Sequence, residues 1–236
     1  MSQGCQEQKG NMAQVSVVVP TLNSGATLPP LLADLAVAGV GEVILADGGG
    51  ANGMAGPAGV RLVAAPRGRG AQLAAGAAVA EGAWLLFLHA DTRLQPGWQQ
   101  VVARAMAEPE RAAYFRFALD DDAPQARRLE AAVAWRCRWL ALPYGDQGLL
   151  ISRQLYDAVG GFRAIPLMED VDMVRRIGRA RLAALPVAAV TSAERWRRDG
   201  WWARSARNIS ILTLWFCGVS PERLYRLYHG RPPRPR

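Results

Sequence analysis

Between Gly82 and Gln95 the chain runs Ala83-Trp84-Leu85-Leu86-Phe87-Leu88-His89-Ala90-Asp91-Thr92. From Trp84 to Leu88 the large apolar residues follow one another without the alternation of a strand that has one wet face. The stretch therefore predicts a strand buried on both faces in the middle of a sheet. Open α/β sheets hold their ligands at the carboxyl ends of their parallel strands, and at this end the sequence turns polar at once. His89 and Asp91, separated only by Ala90, suit a divalent cation. The competing reading is that Asp91 merely closes a turn or caps the next helix.

The stretches before it build the rest of such a sheet. Val15 to Val19 is a β-branched run ended by Pro20, followed by the turn Thr21-Leu22-Asn23-Ser24 and by a helix over Thr27 to Ala38 with Leu28, Leu31, Leu32 and Leu35 on one face. Glu42 to Ala46 predicts a second strand ending in Asp47-Gly48-Gly49-Gly50. Asp47 there either accepts hydrogen bonds from a ribose or a base, or forms an Asp-Gly turn. Val60 to Ala64 predicts a third strand. Pro66-Arg67-Gly68-Arg69-Gly70 then leads into a helix through Leu73 and Val79, and two guanidiniums at a helix start favour phosphate. The spacing is neither a P-loop nor a Gly-x-Gly-x-x-Gly turn. Strands alternating with helices predict a doubly wound α/β sheet.

Beyond the central strand the pattern predicts a helix over Gln95 to Met106, a strand over Ala112 to Leu119, a solvated loop at Asp120-Asp121-Asp122, and a helix over Ala126 to Leu142 carrying Leu129, Val133, Trp135 and Trp139. Tyr144-Gly145-Asp146-Gln147-Gly148 precedes the apolar Leu149-Leu150-Ile151. Glu169 and Asp170 open a helix running to Ile177, where the free N–H groups and the dipole favour carboxylates. A positioned carboxylate is a general base; the alternative is a helix start in which Asp170 only caps. One domain is expected, with a loose polar segment over 1–14, a nucleotide-binding half over 15–119 and an acceptor half over 120–230.

Charge is unevenly distributed. The 236 residues carry a formal +8, but Arg175 to Arg236 holds 14 Arg against Glu194, Asp199 and Glu222, a net of +11, so the preceding 174 residues carry −3. The basic end predicts an anionic partner. Cys5, Cys137 and Cys217 are too few and too scattered for a disulfide framework or a zinc knuckle. The first fourteen residues have no apolar core of a signal peptide, and a cytoplasmic location is expected.

Taken together, these residues resemble family 2 glycosyltransferases of the GT-A fold, enzymes that use nucleotide-sugar donors, and are most similar to a small soluble bacterial branch. The resemblance runs from about Val15 to about Tyr228. It rests on Val17-Val18-Val19-Pro20-Thr21-Leu22-Asn23, Ala46-Asp47-Gly48-Gly49, Arg67-Gly68-Arg69-Gly70-Ala71-Gln72, Phe87-Leu88-His89-Ala90-Asp91-Thr92, Gly145-Asp146-Gln147-Gly148, Gly160-Gly161-Phe162 and Met168-Glu169-Asp170-Val171. It implies a Rossmann-like, mostly parallel sheet flanked by helices, with a helical C-terminal segment. By the resemblance Pro20, Thr21, Leu22 and Asn23 line a nucleoside pocket, Asp47 and Gly48 meet the base or ribose, and Arg69 and Gly70 lie on the donor side. His89-Ala90-Asp91 stands where an Asp-x-Asp signature is usual, with Asp91 and His89 on a Mn²⁺ or Mg²⁺ that bridges the donor diphosphate. Asp170, paired with Glu169, corresponds to the base of an inverting displacement. Asp146, Gln147 and Gly148 correspond to acceptor-side positions, and Arg195 and Trp196 to a partial echo of a Gln-x-x-Arg-Trp motif. The implied donor is UDP- or GDP-linked.

The sequence also departs from that pattern. Ser24 stands where Glu is usual, Gly50-Ala51-Asn52-Gly53-Met54 replaces Ser-Thr-Asp-Gly-Thr, and Ala74 stands where Asn is common. A non-catalytic nucleotide-binding or scaffold protein on the same fold is therefore the competing reading. A nucleic-acid binder would rest on the basic end alone, without a recognition motif. The segment Arg195 to Tyr228 interleaves Arg with Trp196, Trp201, Trp202 and Trp215. It predicts either peripheral contact with the inner face of the cell membrane, which would bring the enzyme to a lipid-linked acceptor, or a helix packed across the sheet with its arginines in water.

Overall fold

The computed structural model describes residues 12–22, 24, 27–49 and 59–229. Strands β1 (Val15–Thr21), β2 (Glu42–Asp47), β3 (Val60–Ala64), β4 (Trp84–Phe87), β5 (Thr92–Leu94), β6 (Ala112–Leu119), β7 (Leu149–Ser152) and β8 (Leu182–Thr191) form one eight-stranded sheet in the order β3-β2-β1-β4-β7-β6-β8-β5. Helices α1 (Leu28–Ala38), α2 (Arg69–Val79), α3 (Trp98–Ala105), α4 (Pro124–Leu140), α5 (Arg153–Ala158), α6 (Glu169–Ile177), α7 (Glu194–Asp199), α8 (Trp201–Phe216) and α9 (Pro221–His229) surround it.

The first four strands are parallel, as the strand–helix alternation predicts. The Trp84 stretch lies between β1 and β7, and Leu85 and Leu86 are wholly buried. Its alternate side chains serve two cores. Leu86 and Leu88 pack with Leu31 and Leu35 of α1 and Trp98 and Val102 of α3, whereas Leu85 and Phe87 pack with Leu73 of α2, Tyr156, Phe162 and Met173. Full burial of each such side chain is worth about 1.5–3 kcal/mol, which is why the apolar run has no alternation.

Two strands escape the sequence pattern. β8 is rich in alanine and carries Pro186, which argues against a strand flanked on both sides. The sheet admits it through an irregularity: Tyr114 pairs with Ala184 but Arg116 with Ala188, so β8 has two extra residues where Pro186 sits. β5 is a three-residue strand pairing antiparallel with β8, too short to leave a periodic signal. β7 runs antiparallel to β4 and β6, making the sheet mixed.

Helix limits differ where backbone chemistry intervenes. Pro96 and Gly97, the latter at φ 86°, delay α3 to Trp98. α4 starts at Pro124, whose ring suits a first turn, and stops at Ala141 with φ 52°. On α4 it is Ala126, Val133 and Cys137 that face inward against Tyr114 and Phe117 of β6. Trp135 and Trp139, which the same stretch carries, are 59% and 56% exposed, because Trp135 lies two residues from Val133, on the far side of the helix.

Of the C-terminal tryptophans, Trp196 and Trp201 stack at 6.1 Å and pack against the α4–β6 layer, and Trp215 packs on the layer formed by α6 and α9; Trp202 is exposed. No helix among the described residues is long and apolar enough to cross a membrane. Packing begins before β1: Met12 is buried and its carbonyl accepts the N–H of Gly41, although the polar run over 1–14 predicts a loose segment.

Candidate active site

The carboxyl ends of β1, β2 and β4 lie side by side, and the polar residues expected at each are found there. Thr21 pairs in register with Asp47, and its hydroxyl donates to Asp47 Oδ1 at 3.2 Å. The N–H of Gly49 donates to Asp47 Oδ2 at 3.0 Å and that of Gly48 to the Thr21 carbonyl at 3.0 Å. Gln72 of α2, which sequence reasoning left without a role, is buried beneath them. Its amide nitrogen donates to the carbonyls of Thr21 at 2.7 Å and Ala46 at 2.8 Å, holding the two strand ends together. Pro20 is half-buried at the end of β1 and Leu22 is exposed beyond it. Asn23 and Gly50 to Met54 lie outside the described residues.

A second group forms where α2, α6 and the turn Gly145–Gln147 converge on the end of β4. Arg69 opens α2, and its Nε lies 2.7 Å from Oε1 of Glu169, the first residue of α6. The Glu169 side chain is only 2% exposed, and its Oε2 finds no hydrogen-bond partner among the described residues. Burial pushes its carboxyl up to about 7 against the pull of Arg69. Met168, just before it, has φ 67°, a left-handed conformation unusual for a long side chain, and it sets the angle at which Glu169 and Asp170 enter the site. Gly70 packs so closely on the 163–165 loop that an added methyl group would collide with the Arg163 carbonyl oxygen.

Asp170 Oδ2 accepts the N–H of Gly145 at 2.8 Å, and Oδ1 accepts that of Val171 at 2.8 Å. A methyl group on Gly145 would lie 2.8 Å from His89 Nε2 and 3.5 Å from Asp170 Oδ2, so a glycine is what leaves room for both side chains at the turn. Burial, with Arg69 adding to it, pushes the His89 imidazole down to about 4, so it is neutral at pH 7. Asp146 is held in the same place, its carboxyl raised to about 6 by burial against the pull of Arg136, with Oδ1 unpaired among the described residues.

Gln147 and Gly148 complete the turn. Gln147 is buried, donating to the Phe115 carbonyl at 3.0 Å and accepting from the Tyr144 N–H at 3.2 Å, so its amide is engaged in holding the loop. Gly148 begins the step into β7. Arg136 lies 3.4 Å above the Tyr144 ring, another contact without a sequence signal, since the two come from different elements.

Asp91 follows the buried Ala90 and faces the C-terminal segment: Nη2 of Arg195 is 3.6 Å from Asp91 Oδ2. Trp196, its neighbour, is turned away toward Trp201. Among the described residues no three His, Cys, Asp or Glu side chains cluster as a metal site. His89, Tyr144, Gly145, Glu169 and Asp170 line one small cavity walled by Leu73, Phe87 and Phe162.

The fold that gathers these carboxylates, the His89 imidazole and two arginines at the carboxyl end of a mostly parallel sheet is similar to that of several solved structures. A mannosyltransferase from Pyrobaculum calidifontis in complex with GDP-Man and Mn²⁺ is 19% identical, with a TM-score of 0.57 over 92% of this chain and 68% of that one. Glucosyl-3-phosphoglycerate synthase from Mycobacterium tuberculosis, in complex with Mn²⁺, UDP and glucosyl-3-phosphoglycerate, is 19% identical with a TM-score of 0.52 over 81% and 75%. Residues 1–349 of TarS from S. aureus are 15% identical with a TM-score of 0.54 over 91% and 70%. At these identities the likeness is one of fold. No curated protein sequence matches the chain. Residues 16–168, from β1 to the turn that launches Glu169 and Asp170, match the family described as Glycosyl transferase family 2, and with most of its length so matched the chain belongs to that glycosyltransferase family.

Proposed function

We propose that the chain transfers a sugar from a UDP- or GDP-linked donor to an acceptor hydroxyl by a single in-line displacement, inverting the anomeric carbon, with Asp170 as the base. The observation that carries this reading is the position of Asp170. It is oriented by the N–H groups of Gly145 and Val171 and opens into the cavity it shares with His89 at the end of β4. An acceptor hydroxyl there gives its proton to the Asp170 carboxylate as its oxygen bonds to the anomeric carbon and the bond to the diphosphate breaks. A base so placed contributes about 10² to 10⁴ in rate.

The donor would lie along the ends of β1 and β2, its nucleoside against Thr21, Asp47 and Gly48. Its diphosphate would lie between Arg69, at the start of α2, and Arg195. Asp146, with an oxygen that has no partner among the described residues, suits an acceptor hydroxyl. The residues present also fit a Mn²⁺ or Mg²⁺. Asp91 offers a carboxylate and His89 an uncharged imidazole, and two protein ligands with the rest supplied by phosphate and water is the usual arrangement for such ions at a diphosphate. When bound there, the cation neutralises charge developing on the leaving diphosphate. Solved structures of similar fold in complex with Mn²⁺ and UDP or GDP-Man support a cation-assisted reading.

Thermal denaturation with UDP and with GDP, each with and without Mn²⁺, tests this on the wild type and on Asp91→Ala. One nucleotide should raise the melting temperature only with metal, and Asp91→Ala should abolish the rise. If neither nucleotide stabilises the protein at millimolar concentration, the donor reading fails. Binding without donor hydrolysis or transfer to any acceptor would instead favour the non-catalytic reading.

A further inference from the structure

We propose that the face formed by the outer side of α8 and the end of α4 docks onto an anionic lipid bilayer. Trp202, Ile209 and Phe216 recur every seven residues along α8, and so lie in one stripe. All three face solvent, at 72%, 64% and 47% exposure. At the Phe216 end the stripe meets a groove of about 400 Å³ between α8, α6 and the end of α4, lined by Leu140, Leu142, Val174 and Phe216 with Arg175 and Arg179 on its rim. Trp139 and Trp135, one turn apart on α4, are exposed as well; Leu140, next to Trp139, lines the groove, and Arg179 on its rim donates to the Trp139 carbonyl. Aromatic and aliphatic surface gathered in this way and facing water marks a docking site.

Charge chooses the occupant. The segments that build this face contain no carboxylate: none from Ala131 to Gly145, none from Met173 to Ala193, and none from Gly200 to Pro221. They carry the exposed Arg138, Arg175 and Arg179. Arg175 lies 5.0 Å over the Phe216 ring, Arg138 lies 5.6 Å over the Trp139 ring, and Arg179 donates to the carbonyls of Trp139 and Arg138, so cations and aromatics are interleaved. A protein partner presents charges of both signs, and a face with one sign only is matched by a surface uniformly of the other. Tryptophan with its ring at the headgroup level and arginine against anionic phosphates are the two components of bilayer-surface binding. Of the four tryptophans that the C-terminal sequence singles out, Trp202 lies on this face, whereas Trp196, Trp201 and Trp215 are packed inward.

The face is also close to the catalytic cavity. Val174 lines both the groove and the cavity, and Asp170 is one turn earlier on α6. Docking therefore holds the cavity beside the membrane surface. This proposal concerns where the enzyme works and stands independently of the donor it uses.

Cosedimentation of the full chain with phosphatidylcholine vesicles, and with vesicles containing an equal part of phosphatidylglycerol, tests it. The wild type should pellet with the anionic vesicles and stay in solution with the neutral ones, and high salt should release it. Paired Arg175→Ser and Arg179→Ser should weaken partition by about fivefold for each arginine. Paired Trp139→Ser and Phe216→Ser should abolish it. Unchanged melting temperatures for both pairs separate loss of docking from loss of fold. Failure of the wild type to bind anionic vesicles overturns the proposal, as does binding that survives both pairs. So does a dimer in sedimentation velocity that dissociates in Trp139→Ser/Phe216→Ser while vesicles remain unbound, which would mean that a second copy covers this face.

Discussion

Asp170 Oδ2 accepts the N–H of Gly145 at 2.8 Å, which ties the first turn of α6 to the loop after α4 and aims the carboxylate at the end of β4. Asp170→Asn keeps the side-chain shape and removes the carboxylate proposed as the base. Sugar transfer should fall by about 10² to 10⁴ while the thermal shift produced by nucleotide stays within experimental error. Gly145→Ala, whose methyl would press on His89 Nε2 at 2.8 Å, should lower transfer without touching any charge. A variant Asp170→Asn with wild-type turnover would remove Asp170 from the mechanism.

Glu169 makes stability depend on pH. Burial raises its carboxyl from 4.5 to about 7 in the folded chain. Between those values the folded chain holds a proton that the unfolded chain has lost, so this contribution is fully present below pH 4.5 and is lost as pH rises through about 7. Melting temperatures measured between pH 5 and pH 8, the range set by this shift, should fall more steeply with pH for the wild type than for Glu169→Gln. Parallel curves would mean that the Arg69 guanidinium at 2.7 Å keeps the pair ionised throughout.

Gln72 joins β1 to β2 through the carbonyls of Thr21 and Ala46, from a position that is 3% exposed. Gln72→Leu fills the space and removes both hydrogen bonds, and should destabilise the fold by about 1–3 kcal/mol in denaturant titration. Because the same ends carry Thr21 and Asp47, nucleotide affinity should fall as well. Gln72→Glu should not restore it, since a carboxylate has no N–H to give the two carbonyls.

Ala141 ends α4 at φ 52°, a conformation that an L side chain resists. Ala141→Gly should raise stability by about 1 kcal/mol, readable as a higher melting temperature with unchanged cofactor and nucleotide responses. A fall in stability would mean that the Ala141 methyl, on the wall of the groove beside Phe216, contributes more by packing than its backbone loses.

What the amino-acid order alone determined is local. The apolar run from Trp84 to Leu88, the β-branched run from Val15 and the leucine spacing of α1 each record how a few consecutive residues divide between core and water. Each strand end is marked by an abrupt polar residue: Thr21, Asp47, His89. That is enough to predict four strands of a doubly wound sheet and the edge at which a ligand would bind. The tertiary structure decided everything that depends on partners distant in sequence. β8 is hidden because alanine and Pro186 look like a loop until β6 pairs along them, with an irregularity at Pro186, and β5 pairs with the end of the strand from Ala189 to Thr191. Trp135 and Trp139 are apolar, but Ala126, Leu129, Val133 and Cys137 make the face of α4 that packs on β6, so the tryptophans are left facing water. The contacts of Glu169 with Arg69, of Asp170 with Gly145, and of Gln72 with two strand ends join residues 25 to 100 positions apart. Hydrophobic periodicity reports that a residue is buried, and only the folded chain supplies the partner it is buried against.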